Sequence, residues 1–188
     1  MYLVCLVLAL LPLASRAASL HISNVFGSSM VLQRGKPIPV WGWTDAGAAV
    51  TASFTGLASN ASATADAEGF FKVVFPAQPA TLTPVEITVC AAAGAACASL
   101  TDLLVGDVVL CSGQSNVEFN VASSNNASAE IAAAELYPLI RVTSGPLQGQ
   151  FNLHDLPIGV VSQQLLAVDL PWSHANATSI GGNGKGWE

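Results

Sequence analysis

An apolar stretch that runs directly into a glycine-flanked serine constrains the fold of this chain more than any other feature. Residues 104–119 read LVGDVVLCSGQSNVEF, and the apolar residues 108–111 predict a buried strand. Gly113 permits a tight turn after that strand because glycine has no Cβ. Open α/β sheets bind their substrates at the carboxyl ends of parallel strands, which is where Ser115 would stand. The pattern fits either a nucleophile whose own N–H faces an oxyanion or an ordinary strand-to-helix turn.

The residues that follow this stretch continue the α/β pattern. Residues 128–136, SAEIAAAEL, predict a short helix because Ala and Glu are good helix formers. Asn126 or Ser128 can cap its first turn, and Pro138 lies just past its end. Residues 140–142 predict a second parallel strand, which would complete a strand–helix–strand crossover.

The N-terminal half of the chain has the period-two pattern of β-strands instead. Apolar positions recur at every second residue along three short runs, which are residues 50–54, 70–75 and 85–89. Such runs, punctuated by Gly and Pro, are typical of half-buried antiparallel strands. Residues 66–69 predict a hairpin turn between two of them. Together these strands predict an antiparallel β-sandwich in residues 18–103.

Two tryptophans, Trp41 and Trp43, flank Gly42 within one predicted strand. Strand side chains repeat every two residues, so both rings are expected on the same face. Such a pair can form a platform on which sugar rings stack. It can also pack in the core or dock against a neighbouring domain, which is the commoner role of paired aromatic side chains.

The composition excludes several classes of function. The 188 residues carry a formal net charge of −6 and only 10% of them are charged, which argues against nucleic acid as a partner. No apolar run of about 18 residues follows Leu13, so no transmembrane helix is expected beyond it. No Cys-x-x-Cys or Cys/His spacing suggests zinc, and we expect neither a metal nor a cofactor.

Residues 1–17 predict a secretory signal peptide. An apolar run extends from Tyr2 to Leu13, and Ser15 and Ala17 are small residues at the −3 and −1 positions of a cleavage site. No Lys or Arg precedes the run, so a short membrane anchor is the alternative. Three N-x-S/T sequons agree with secretion and predict glycosylation at Asn60, Asn126 and Asn176.

The cysteines beyond the predicted signal peptide also fit secretion. Cys90 and Cys97 flank a loop of hairpin length, which fits a local disulfide between them. Cys111 lies on the predicted buried strand, and we interpret it as a small core residue.

Three blocks of this sequence resemble one known family. The first is the serine-containing stretch at residues 106–116, the second is residues 25–34 with 36–43, and the third is YPLIRV at residues 137–142. Together they resemble the sialate O-acetylesterase family, which consists of carbohydrate acetylesterases of the SGNH-hydrolase superfamily. Val117 stands where the family usually has Met, a tolerable apolar exchange.

The resemblance implies a mixed β and α/β fold. An N-terminal antiparallel β-sandwich, residues 18–103, would precede the truncated start of an SGNH-type α/β/α hydrolase domain, residues 104–188. Ser115 would be the catalytic nucleophile. The residues of its oxyanion and nucleophile loop would be Gly113, Gln114 and Asn116. The resemblance also implies an O-acetylated carbohydrate substrate, no cofactor, and a secreted or lysosomal protein.

The sequence lacks the Asp-x-x-His block that holds the general base near the C-terminus of the family. None of His21, His154 and His174 has that spacing, and we interpret His21 as a strand residue and the others as loop or surface residues. A serine without its base is a weak nucleophile. We therefore expect an incomplete, weakly active or inactive sialate O-acetylesterase-like hydrolase. The alternative is a secreted, non-catalytic β-sandwich that binds carbohydrate or a partner.

Overall fold

β-strands dominate the computed structural model of this protein, which describes residues 18–57, 59–111, 119–144 and 170–181. The strands are β1 (Leu20–Ile22), β2 (Val31–Gln33), β3 (Ile38–Thr44), β4 (Ala49–Thr55), β5 (Ser59–Thr64), β6 (Phe70–Phe75), β7 (Val85–Ala91), β8 (Ala96–Gly106), β9 (Arg141–Ser144) and β10 (Leu170–His174). The α-helices are α1 (Ala127–Ala133) and α2 (Ala177–Gly181). Within these described ranges no helix is both long and apolar enough to cross a membrane. The predicted signal peptide lies outside them.

The strands of the described residues form three sheets. One has the strand order β1-β3-β6, a second has the order β2-β8-β7-β4-β5, and the third is the pair β9-β10. The pairings are antiparallel except that of β2 with β8, which is parallel. The parallel pairing sets Val31 opposite Leu104 and Gln33 opposite Gly106. It therefore fixes an N-terminal segment beside the end of β8, where antiparallel strands alone were expected.

The alternation predicted for the N-terminal strands is confirmed by their burial. Inward-facing side chains of both larger sheets meet in one apolar core, which includes Val40, Val50, Phe54, Phe71, Val73, Phe75, Ile87 and Val89. The ring centroids of Phe54 and Phe75 lie 5.3 Å apart and bring β4 of one sheet against β6 of the other. Burying an apolar side chain of this size stabilises a fold by about 2 kcal/mol. This core therefore holds the two sheets together.

The turn predicted at residues 66–69 is present, but it is not a hairpin turn. Asp66 Oδ1 accepts a hydrogen bond from the Phe70 N–H at 2.7 Å. The strands on either side, β5 and β6, belong to different sheets, so the turn carries the chain from one sheet to the other. Gly69 has a φ of +80°, and a Cβ there would lie 2.2 Å from the carbonyl oxygen of Thr44, so the turn requires glycine.

The prediction of a buried strand at residues 108–111 is wrong. These residues form no strand, Val109 and Leu110 are 79% and 89% exposed, and Cys111 is an exposed free thiol rather than a core residue. An apolar run becomes a buried strand only where other elements cover both of its faces. The part of the chain that the structure describes supplies no such cover here.

The helix predicted at residues 128–136 is confirmed as α1 followed by a 3₁₀ turn at Ala134–Leu136. Asn126 takes the N-cap position, but its side chain makes no capping hydrogen bond. The second predicted strand is present as β9, but it pairs antiparallel with β10. The predicted parallel crossover is therefore wrong for the described residues, because β10 supplies a partner that local sequence patterns did not reveal.

A disulfide between Cys90 and Cys97 joins β7 to β8. The two cysteines lie directly opposite each other in the antiparallel pair, so the bond closes the turn at Ala92–Gly94 and confirms the predicted local pairing. The cross-link fixes the register at the start of β8, which is the strand that leads toward the predicted nucleophile loop.

The predicted domain boundary after residue 103 falls inside β8, and Leu104 and Val105 beyond it are buried. We expect a fragment of residues 18–111 to unfold cooperatively. A fragment of residues 18–103 should be less stable by about 3 kcal/mol or more, because it lacks two core side chains and the partner of β2. Urea denaturation followed by tryptophan fluorescence compares the fragments. Equal midpoints would show that the boundary at residue 103 is correct.

Candidate functional site

The predicted nucleophile loop lies outside the described residues, together with its members Gly113, Gln114, Ser115 and Asn116. His154 also lies outside them. The structure describes the chain up to Cys111 and again from Phe119. The geometry described below is therefore that of the residues that flank this loop in the sequence and of their neighbours in space.

The segment that precedes the loop is hydrogen-bonded to the last residue of β2 and to the residue after it. Gln33 Oε1 accepts a hydrogen bond from the Val108 N–H at 2.9 Å. Arg34 Nε donates to Asp107 Oδ1 at 2.8 Å, and this hydrogen bond raises the pKa of the guanidinium. Gln33 and Arg34 belong to one block of family resemblance, and Asp107 and Val108 belong to another. Two blocks that are distant in sequence are thus adjacent in space.

Four polar side chains from distant parts of the chain meet along β8. We call them the Asp102 cluster: Ser29, Asp102, Arg141 and His174. Asp102 Oδ2 accepts a hydrogen bond from Ser29 Oγ at 2.8 Å and lies 2.7 Å from His174 Nε2. Arg141 Nη2 lies 3.5 Å from Asp102 Oδ1. An ionised carboxylate can only accept hydrogen bonds, so His174 Nε2 carries the proton that these two groups share.

Asp102 reaches its partners because a bulge interrupts β8. The pairing of β7 with β8 shifts register between Val85 and Ile87, and Asp102 has a φ of +56°. Ser29 also has a left-handed backbone, with a φ of +65°, and its N–H donates to the Thr101 carbonyl at 2.9 Å. Bulges re-aim side chains relative to the regular alternation of a strand. Here the bulge turns a carboxylate toward β9 and β10.

The negative charge of Asp102 is compensated by the positive charge of Arg141. Partial burial acts to raise the pKa of the Asp102 carboxyl. The hydrogen bonds from Ser29 and His174 and the positive charge of Arg141 outweigh burial, so this pKa is lowered. The Arg141 side chain is only 2% exposed, and its Nη1 donates to the Pro138 carbonyl. A buried guanidinium needs a paired counter-charge, which Asp102 provides.

An open, largely apolar cavity of about 580 Å³ lies between the end of β8 and the start of β9. Its lining includes Val31, Leu104, Val109, Cys111, Ile140 and Arg141. Ligand sites are commonly clefts of this size with a few polar groups. Cys111 is the last described residue before the predicted nucleophile loop, so the lining reaches the point where the described chain enters that segment of the sequence. Among the described residues, no group of three or more His, Cys, Asp or Glu side chains could hold a metal ion.

The two tryptophans of β3 share one face, as predicted, but this face is not in the core. Trp41 and Trp43 are half-buried on the outer side of the three-stranded sheet, whereas the alternate residues Ile38, Val40 and Thr44 of β3 point inward. The Trp43 ring lies 6.0 Å from the ring of His21, in β1 as predicted, and 5.8 Å from the ring of Phe70. The outer face therefore carries an aromatic row across three strands.

The three sequons differ in accessibility. Asn60 and Asn126 are exposed. Asn176 is half-buried, and its Oδ1 accepts hydrogen bonds from the N–H groups of Thr178 and Ser179 at 2.9 and 3.0 Å. Its amide is therefore held at the start of α2, which makes it the least suitable of the three as a glycan acceptor.

The fold and these supports are similar to those of a solved carbohydrate acetylesterase. A crystal structure of a carbohydrate acetylesterase from Xanthomonas citri matches 89% of this chain and 35% of its own chain. The TM-score is 0.73 and the sequence identity is 29%. The fold of the described residues is thus of the kind found in carbohydrate acetylesterases.

More specific relatives are sialate O-acetylesterases. Those of Homo sapiens and Mus musculus are each 30% identical over 94% of this chain, and the matches cover 34% and 32% of their own lengths. No protein-family model matches the chain. The predicted resemblance to the sialate O-acetylesterase family is confirmed, and the chain spans about one third of the length of these relatives.

Sequence reasoning missed the Asp102 cluster as a unit. His174 is exposed, as expected, but it ends β10 and contacts Asp102 rather than lying free in a loop. The available signal was Asp102 itself, because a carboxylate within the largely apolar strand segment LTDLLVG needs a partner. The cluster also connects the blocks of family resemblance, since Ser29 belongs to one of them and Arg141 to another.

Replacing Asp102 with Asn removes the charge that balances the buried guanidinium of Arg141. We expect the free energy of unfolding at neutral pH to fall by about 1–2 kcal/mol, a figure reduced because Asp102 is partly exposed. The folded pKa of Asp102 is lowered, so its stabilisation is complete above the unfolded pKa of about 3.9 and is lost as pH falls through the folded pKa. The difference between wild type and D102N should shrink below a pH of about 4.

Urea unfolding over a range of pH measures this difference. Asp107→Asn is the matched control, because the ion pair of Asp107 with Arg34 is exposed and should contribute little stability. An unchanged stability of D102N at neutral pH, or a difference that persists undiminished in acid, would contradict the role assigned to Asp102.

Proposed function

We propose that this chain carries the nucleophile segment of a hydrolase that removes O-acetyl groups from sialic acids or other acetylated sugars. The observation that carries the proposal is the similarity of nearly the whole chain to carbohydrate acetylesterases. The proposed architecture is an N-terminal β-sandwich followed by the start of an SGNH-type hydrolase domain. The hydrogen bonds of Val108 to Gln33 and of Asp107 to Arg34 support the proposal, because a nucleophile is best presented from a segment that is held in place.

In this proposal Ser115 attacks the acetyl carbonyl carbon of the substrate. A histidine takes the proton of the serine hydroxyl, and backbone N–H groups, including that of Ser115, hold the developing oxyanion. The neighbours Gly113, Gln114 and Asn116 shape this loop. The tetrahedral intermediate releases the sugar hydroxyl, which receives the proton from the histidine. Water activated by the same histidine then hydrolyses the acetyl-enzyme to acetate and free Ser115.

The source of the general base limits the proposed activity of this chain. His174 has a carboxylate partner of the kind that orients a base, but Asp102 is also shared with Ser29 and Arg141. The sequence has no Asp-x-x-His block. We therefore propose that the chain by itself is weakly active or inactive. The alternative remains a non-catalytic module, for which the aromatic row on the outer face of β3 offers a surface.

The purified chain should hydrolyse 4-nitrophenyl acetate at a rate close to background, and Ser115→Ala should not change that rate. An unactivated serine is mostly protonated at neutral pH, and each missing oxyanion donor costs about 3 kcal/mol more. Ser112→Ala is the matched control within the same loop. Robust turnover by the wild-type chain that is lost in Ser115→Ala and retained in Ser112→Ala would refute the proposal that the chain by itself is inactive. His154→Ala and His174→Ala would then identify the base.

We also propose that the chain enters the secretory pathway and is secreted or lysosomal. Residues 1–17 should be removed in a eukaryotic host, and Asn60 and Asn126 should carry glycans because both are exposed. Asn60→Gln and Asn126→Gln should each abolish one N-glycosidase-sensitive mobility step. Asn176→Gln should leave the pattern unchanged, because the amide of Asn176 is engaged at the start of α2. A purified chain that retains Met1 and carries no glycan would contradict the proposal.

A further inference from the structure

The aromatic row on the outer face of the three-stranded sheet is set by strand register. His21 of β1 lies opposite Trp43 of β3, and Trp43 lies opposite Phe70 of β6. The planes of the His21 and Trp43 rings are within 27° of parallel. A Cβ at Gly42 would overlap the carbonyl oxygen of His21, so glycine at this position lets β1 approach β3 closely. The backbone pairing therefore holds the three rings side by side.

The rings of the row are open to a ligand. Trp43 and Phe70 are half-buried and His21 is exposed. Among the described residues, the elements in close contact with β3 are β1 and β6, its neighbours in the same sheet. Phe26 packs edge-on against Trp41, with ring centroids 4.5 Å apart, and so covers part of that ring beside the row. Contiguous exposed rings of this kind mark an interaction surface.

Two charged side chains of opposite sign flank the row. Asp45 follows β3, and its Oδ1 accepts a hydrogen bond from Ser19 Oγ at 3.1 Å, which continues the register of β1 with β3 past Trp43. Lys72 is exposed on β6, two residues from Phe70 and opposite Trp41. Within the described ranges Lys72 forms no ion pair. The row thus has a hydrogen-bond acceptor at one end and a donor on its other side.

This combination fits one class of ligand. A pyranose ring has an apolar face of C–H groups, which packs on an aromatic ring, and a rim of hydroxyl groups that both donate and accept hydrogen bonds. The row supplies the rings, Asp45 can accept from a hydroxyl, and Lys72 can donate to one. Because the two charges have opposite signs, an uncharged ligand needs no counter-charge of its own.

We propose that this outer face binds a neutral oligosaccharide, with a sugar ring stacked on Trp43 between Asp45 and Lys72. The surface is built from β1, β3 and β6 rather than from the segment around Ser115. The inference goes beyond the proposed hydrolase chemistry and does not depend on it.

Calorimetric titration of the purified chain tests the proposal. The probes are neutral hexasaccharides of glucose, mannose, galactose and xylose, with hexagalacturonate as an acidic comparison. At least one neutral probe should bind, and hexagalacturonate should bind less tightly because the chain has a net charge of −6. Trp43→Leu keeps an apolar side chain but removes the ring, so it should weaken binding about tenfold. Lys72→Ala removes a donor and should weaken binding about fivefold.

Tyr137→Leu and Lys36→Ala are the matched controls. Tyr137 is a ring that is 55% exposed, and Lys36 is an exposed lysine between β2 and β3, so neither lies on a strand of the outer face. Both variants should bind like wild type. If Trp43→Leu lowers the urea midpoint of the chain, His21→Ala at the exposed end of the row gives a second measurement and should weaken binding about threefold.

Three results would overturn the inference: no binding of any neutral probe, equal losses in the face variants and the controls, or tighter binding of hexagalacturonate than of every neutral probe. Ser115→Ala separates this inference from the proposed function, because it should bind the neutral probe as wild type does. A chain that hydrolyses acetyl esters through Ser115 but binds no neutral hexasaccharide would support the proposed chemistry and refute this inference.

Discussion

The burial of alternating apolar side chains between the two larger sheets is the interaction on which the rest of the described structure depends. Leu103 and Val105 of β8 lie in this core, so the core fixes the position of β8. β8 in turn carries the Asp102 bulge and continues into the segment that precedes Ser115. The core strand β8 is thus the described strand that precedes the segment proposed to carry the nucleophile.

The Asp102 cluster adds a polar connection to this apolar framework. Asp102 lies on the core strand β8, whereas Arg141 and His174 begin β9 and end β10. One carboxylate thus joins the small C-terminal sheet to the N-terminal sheets. Because Arg141 is buried, the connection depends on charge compensation and is sensitive to the loss of either partner. The segments that resemble the esterase family converge on this junction, although they are distant in sequence.

The strands of the N-terminal half could be predicted because period-two alternation is a local property of the sequence. The inward positions Phe71, Val73 and Phe75 follow directly from it. The same reasoning failed at residues 108–111. An apolar run indicates that a segment is stable when buried, but it does not show whether other elements pack against it. It also failed at residues 66–69, where a correct turn joins two sheets instead of two paired strands.

The sequence by itself determined the alternating strands, the helix at α1, the pairing of Cys90 with Cys97 and the resemblance of three blocks to an esterase family. Each of these is encoded within a short window or in a motif. Only the tertiary structure decided that β2 runs parallel to β8 and that Asp102 meets Ser29, Arg141 and His174. These contacts join residues far apart in the chain, and their geometry depends on sheet register and on a bulge. Neither leaves a periodic signal in the sequence.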